Sequence, residues 1–172
     1  MKKLLHCFIV SLFCVFIFVS TVCAAGVEYN LPYPGLLPYS PIYFLKVARD
    51  NLVLTFIREE KQKAFYYLFL SDKRLATGQA LVNNNQKSLG AVTVLKSQEY
   101  FRWAVDLAVK INNQELTEKL VVAGVKHQEV LAQMMAKGDK NSLDNLQKAY
   151  TLAKEDQERV RKLLIQKGVS SP

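Results

Sequence analysis

The chain has 172 residues, half of them apolar, with 23 Lys and Arg against 15 Asp and Glu and a formal charge of +8. Its three cysteines, Cys7, Cys14 and Cys23, all precede residue 24, so the rest of the chain has no thiol for a disulfide, a thiolate metal ligand or a nucleophile. Acids and bases interleave along that remainder, which argues against the clustered basic patch of a nucleic-acid binder.

Met1-Lys2-Lys3, an apolar run from Cys7 to Val19 and the small residues up to Ala25 follow the three-part order of a secretory signal peptide. Val22-x-Ala24 suits cleavage after Ala24, with the bond after Ala25 as second choice. The competing reading is a membrane anchor over residues 4–25, since about 20 mostly apolar residues can span a bilayer. A lipid anchor at Cys23 is disfavoured, because Ser20-Thr21-Val22 lacks the leucine and small residue expected before such a cysteine. Each reading places the folded part outside the cytoplasm, whether secreted, periplasmic or at the cell surface. Loss of 24 residues leaves 148, and loss of Lys2 and Lys3 lowers the charge to +6. That length suffices for one domain, which must be stabilised by packing.

Residues 25–40 form an arm rich in proline and tyrosine, with Pro32, Pro34 and Pro38 leading to Pro41. Proline removes amides and restricts the preceding residue, so the arm is extended and turn-rich. Ser40-Pro41 reads as a hydroxyl cap followed by proline at the first helical position. The helical domain, 41–168, carries no proline after Pro41; 169–172 is a tail.

Five helices are expected in it. The first spans about 41–54 and the second about 58–82, stopping at Asn83-Asn84-Asn85. The third runs from Ser88 to Ile111, with Val92, Leu95, Trp103, Leu107 and Ile111 as its apolar period. Asn112 with Glu115 resembles a capping box opening the fourth, which ends at Lys137-Gly138. Its inward face is Leu116, Leu120, Ala123, His127, Val130, Leu131 and Met134. The fifth runs from about Ser142 to Gln166 on Leu143, Leu146, Tyr150, Ala153, Val160 and Leu164. Acid-to-base pairs four apart, such as Asp106/Lys110, Glu115/Lys119, Asp144/Lys148 and Glu155/Arg159, suit solvated helix faces. Short links make consecutive helices antiparallel neighbours. The expected fold is all-α: an up-and-down four-helix bundle with a short leading helix and the arm.

The block Tyr33-Pro34-Gly35-Leu36-Leu37-Pro38-Tyr39-Ser40-Pro41-Ile42-Tyr43-Phe44-Leu45-Lys46, followed by Glu59-Glu60-Lys61-Gln62-Lys63-Ala64 and Lys73-Arg74-Leu75-Ala76, resembles the exported bacterial domain of unknown function 5667 family. The resemblance covers about residues 31–82. It implies an exported helical domain and supplies no activity or catalytic residue. Where that family often has an aspartate-proline helix start, this chain has Ile57-Arg58.

Catalytic chemistry has few carriers. His127 is the one histidine after the leader, and on a helix face it reads as a residue bonded to a neighbour. No Glu-x-x-His pair of a di-metal bundle is present. His127 and Met134 share a face, but two ligands on one helix do not make a metal site. No catalytic residue, metal or cofactor is assigned. The candidate contact residues are Tyr33, Leu37, Tyr39 and Tyr43 in and beside the arm. Exposed tyrosines among prolines suit recognition of a partner, whereas the burial of rings favours an arm folded back on its own domain. We expect Tyr43 and Leu37 to face inward and Tyr39 to be more exposed.

The leading expectation is a non-catalytic module of the bacterial cell envelope that binds a protein, with no nucleic acid and with membrane contact only through an uncleaved anchor. The alternative is a periplasmic holding chaperone or envelope-stress sensor, for which Leu116-Thr117-Glu118-Lys119-Leu120 is a faint motif. The sequence carries no signal for an oligomeric state.

Overall fold

The computed structural model describes residues 28–166; the export or anchor segment, its cleavage site, the first arm residues and the tail lie outside the described residues. Five helices follow: α1 (Tyr43–Phe56), α2 (Glu60–Asn83), α3 (Lys87–Ile111), α4 (Gln114–Lys137) and α5 (Lys140–Gln166). Among the described residues the fold is all-α without a strand, and no helix is long and apolar enough to cross a membrane.

The helix ends have local causes, and three differ from expectation. Ser40 does not cap α1. Its amide donates to the Leu37 carbonyl (2.9 Å) and its own carbonyl accepts from Tyr43 (3.0 Å), so successive turns delay the helix to Tyr43. Asn112 ends α3 in the left-handed region (φ 50°), and Asn113, not Asn112, caps α4 by accepting the Leu116 amide at 2.9 Å. Asp139 opens α5 ahead of Ser142: its carboxylate accepts the Ser142 amide (2.9 Å), while the Ser142 hydroxyl accepts the Asp139 amide (2.8 Å). That is a reciprocal cap with serine in the usual glutamate position.

Helices α2 and α3 run antiparallel and cross where Gly78 meets Gly90. A side chain at Gly90 would stand 2.9 Å from the Gly78 carbonyl oxygen. Helices α4 and α5 are the second antiparallel pair, joined in their midst by Gln157 Nε2 donating to the Val121 carbonyl at 3.0 Å. Between the pairs the order is parallel. Lys61–Glu115 and Asp72–His127 ascend together along α2 and α4, as Arg102–Asp156 and Asp106–Arg159 do along α3 and α5. Helix α3 therefore borders α5 far more than α4, although only Asn112 and Asn113 separate it from α4.

This arrangement corrects the buried faces. Val92 and Trp103 are exposed, and Leu95, Leu107 and Ile111 are half-buried. The core face of α3 is instead Ala91, Val94, Gln98, Phe101, Ala104, Val105 and Ala108. Close approach to two neighbours selects small residues there, so a period drawn through the largest apolar residues lands on the margins. On α5, Leu143 is likewise exposed and Tyr150 half-buried, while Leu146, Ala153, Val160 and Leu164 are buried. The inward face of α4 is buried throughout as expected. Of the four-apart ion pairs, Glu115/Lys119 (3.4 Å) and Asp144/Lys148 (2.7 Å) form. Asp106, Lys110 and Glu155 turn instead to Arg159, Glu60 and Arg102 on other helices.

Candidate functional site: the arm and the first helix

The arm is fixed at its start by a buried polar chain. The Tyr29 hydroxyl donates to Asp72 Oδ2 at 2.5 Å, and Asp72 Oδ1 faces His127 Nε2 at 2.8 Å. His127 Nδ1 lies 3.2 Å from the side-chain amide of Gln98. Asp72, Gln98 and His127 come from α2, α3 and α4 and are all buried, so arm and three helices meet at one point. Burial, reinforced by the Asp72 charge and hydrogen bond, pushes the Tyr29 phenol far above its ordinary pKa, which keeps it the donor.

Beyond Tyr29, Leu31 packs on the cluster of Leu75, Val94, Leu131 and Leu146. Gly35 turns the chain at φ +69°, where a side chain would be strained. Lys46 Nζ then donates to the Pro34 (2.8 Å) and Leu36 (3.2 Å) carbonyls and binds the arm to α1. Tyr33 is 83% exposed and Tyr39 62% exposed, whereas Leu37 and Tyr43 are half-buried. The four candidate residues thus divide between two sides of one segment. An open groove of about 590 Å³ runs between arm and helix, lined in part by Pro38, Pro41, Phe44 and Val47.

Helix α1 is apolar around most of its circumference. Tyr43, Lys46, Val47, Asp50, Val53 and Leu54 turn toward the rest of the protein, and α1 meets α2 over only a short stretch. Asp50 is buried and paired with Arg49 at 2.7 Å. The opposite face carries Phe44, Leu45, Leu52 and Phe56, all more than half exposed. An outward apolar face of this kind normally meets a partner.

His127 lacks the setting of a catalytic base. Both ring nitrogens have protein partners, and the nearby hydroxyls close on themselves: Ser71 Oγ donates to the Ser97 carbonyl (2.9 Å) and Ser97 Oγ to the Ser71 carbonyl (2.8 Å). Met134 packs in the apolar cluster with Leu131 and Leu146. Among the described residues no group of three His, Cys, Asp or Glu side chains is placed to hold a metal ion. Leu116, Thr117 and Leu120 of the faint chaperone motif are buried.

Sequence reasoning did not connect Tyr29, Asp72 and Gln98. The signal was present, since Asp72 interrupts the apolar stripe of Leu68, Leu75 and Val82 on α2 just as His127 interrupts that of α4. Two polar residues set into facing apolar stripes are expected to pair. The chain matches no family model, no curated protein and no solved structure.

Proposed function

We propose that this chain is an exported, non-catalytic helical module of the bacterial cell envelope, of the kind its resemblance to the family of domain 5667 implies, and that it binds a protein through the arm and α1. One observation carries the reading. Among the described residues, eight of the fifteen large apolar side chains that are exposed lie between Tyr33 and Phe56. A patch concentrated in so short a segment suits an interaction surface better than scattered exposure would. The closed partners of His127 support a non-catalytic role. Helices α2–α5 serve as the scaffold, a four-helix bundle in which chain direction alternates up and down while its two antiparallel hairpins lie side by side in parallel order. The short links and the pairings of Gly78 with Gly90 and of Val121 with Gln157 support that architecture. The leader delivers it outside the cytoplasm.

The test is site-specific photo-crosslinking in the native cell, with the reactive residue at Phe44, Leu52 or Tyr39 and, as controls, at Lys154 and Glu158 on the exposed face of α5. A discrete adduct from the first three positions and none from the controls supports the reading. Equal capture at both sets, or none at the first three, overturns it. Many heterogeneous adducts at Phe44 and Leu52, with aggregation of unfolded proteins suppressed in vitro, would favour the holding chaperone.

A further inference from the structure

Trp103 is the only tryptophan of the chain, and it faces outward, 44% exposed, from the middle of α3. It is nevertheless held in place. Its ring lies 5.4 Å from Tyr67 of α2 and 4.8 Å, edge to face, from Tyr100. Trp103 and Tyr67, with Leu107, wall an open groove of about 410 Å³ whose rim is Arg58, Glu60, Lys63 and Asp106. That volume falls within the range of small-molecule sites, and an aromatic wall with a few convergent polar groups is their usual composition.

The charges on the rim are not equivalent. Glu60 is paired with Lys110, and Asp106 with Arg159 at 2.6 Å, so both acids are already neutralised from outside the groove. Arg58 and Lys63 have no ion pair among the described residues, and neither the Trp103 indole N–H nor the Tyr67 hydroxyl has a protein hydrogen bond there. Burial raises the Tyr67 phenol, which therefore stays neutral. The groove thus offers two uncompensated cations, an aromatic face, two neutral donors and two carboxylates with lone pairs to accept hydroxyl protons. A carboxylate on the ligand answers the cations. An aromatic acid would leave the rim acceptors without donors. A pyranose ring uses both, laying its C–H face on the indole and its hydroxyls on the rim.

We propose that the Trp103 groove binds an acidic saccharide, with Trp103 and Tyr67 as the stacking platform and Arg58 and Lys63 receiving the carboxylate. The site is separate from the protein-contact surface proposed above and stands or falls independently of it.

Because Trp103 is the sole tryptophan, intrinsic fluorescence of the processed chain reads the groove directly. The probe is cellobiuronic acid, a disaccharide carrying one glucuronate, compared with neutral cellobiose and with benzoate. The expected result is a saturable change with the acidic disaccharide at a Kd near the millimolar range, at least about tenfold tighter than either comparison compound. The R58Q/K63Q pair should weaken it about tenfold without changing the melting temperature. By calorimetry, Trp103→Ala should abolish binding, and Trp103→Phe, which retains ring packing against Tyr100, should weaken it if the alanine variant does not fold. No saturable change, equal affinity for cellobiose or benzoate, or unaltered affinity in R58Q/K63Q would overturn the proposal.

Discussion

The Gln157 carboxamide occupies the space that any side chain at Gly124 would fill, with its oxygen directly over the glycine backbone and the Phe101 ring 3.3 Å from the same point. Gln157 Nε2 meanwhile donates to the Val121 carbonyl, one turn earlier on the same helix as Gly124. The pairing brings α4 and α5 close at mid-length and places a Cα–H against the buried carboxamide oxygen.

The first prediction follows from that fit. Alanine is the better helix former by about 1 kcal/mol, so Gly124→Ala would stabilise an open helix. Here it must displace a buried glutamine and break its hydrogen bond, and overpacking of this sort costs about 1–3 kcal/mol. Net destabilisation in urea melts is expected. Gln157→Ala should remove most of the penalty, so that the double variant is more stable than the sum of the single changes predicts. Additive effects would show that the two residues do not meet.

The acid limb of stability should report the α5 cap. Hydrogen bonds from Ser142 hold the Asp139 carboxyl below its ordinary range. A carboxylate with a depressed folded pKa contributes stability above its unfolded pKa of about 3.9 and loses it as pH falls through the folded value. Wild type should therefore melt above Asp139→Ala at pH 7, and the gap should shrink as pH falls below about 4. A gap that is constant across this range would mean that the charged cap is not used.

The fold class was legible because helix formers, caps and a proline-free stretch all agree from Tyr43 onward, and the face of α4 could be read from its regular apolar stripe. The face of α3 could not. Its core positions include Gly90, Ala91, Ala104 and Ala108, which no hydrophobic ranking favours over Trp103 or Leu107. Which helices become neighbours was also hidden. The parallel order of α3 and α5 is marked by Arg102 and Arg159 meeting Asp156 and Asp106, and in the sequence those acids and bases pair equally well along their own helices. At the candidate site, Tyr33, Leu37, Tyr39 and Tyr43 lie in the segment that also carries the exposed apolar side chains from Leu36 to Phe56. The outward face of α1 was not legible, because Phe44, Leu45, Leu52 and Phe56 alternate with Tyr43, Val47, Val53 and Leu54 and no polar stripe marks which side meets the rest of the protein.

The Tyr29 anchor gives a prediction of opposite sign to the acid limb. Its folded pKa is raised, so its contribution is complete below the unfolded value of about 10 and declines as pH rises beyond it. Tyr29→Phe removes the hydrogen bond and leaves Asp72 short of a donor, which should cost about 1–3 kcal/mol at neutral pH. The difference from wild type should narrow above pH about 10. Deleting residues 26–38 removes this bond together with the Leu31 and Lys46 contacts, and should lower the melting temperature by several degrees, in keeping with a loss of about 1–2 kcal/mol or more. A truncated chain that melts like wild type would show that the arm contributes nothing to the fold.

Core and outer α1 surface should respond in opposite ways to the same kind of change. Leu120 is fully buried among Leu116, Val121 and Leu164, and Leu120→Ala should cost about 2–5 kcal/mol. Leu107 is only half-buried, so Leu107→Ala should fall below that range. Leu45 and Leu52 are 56% and 58% exposed on α1, so Leu45→Ser with Leu52→Ser should change stability by about half a kcal/mol or less per site. The double serine variant should also be more soluble, because it removes half of an outward apolar face from water. Stability and adduct formation would then separate: unfolding curves unchanged, photo-crosslinks from Phe44 lost. If the serine pair unfolds the chain as readily as Leu120→Ala does, the outer face of α1 belongs to the core of its own domain and is not a surface for a partner.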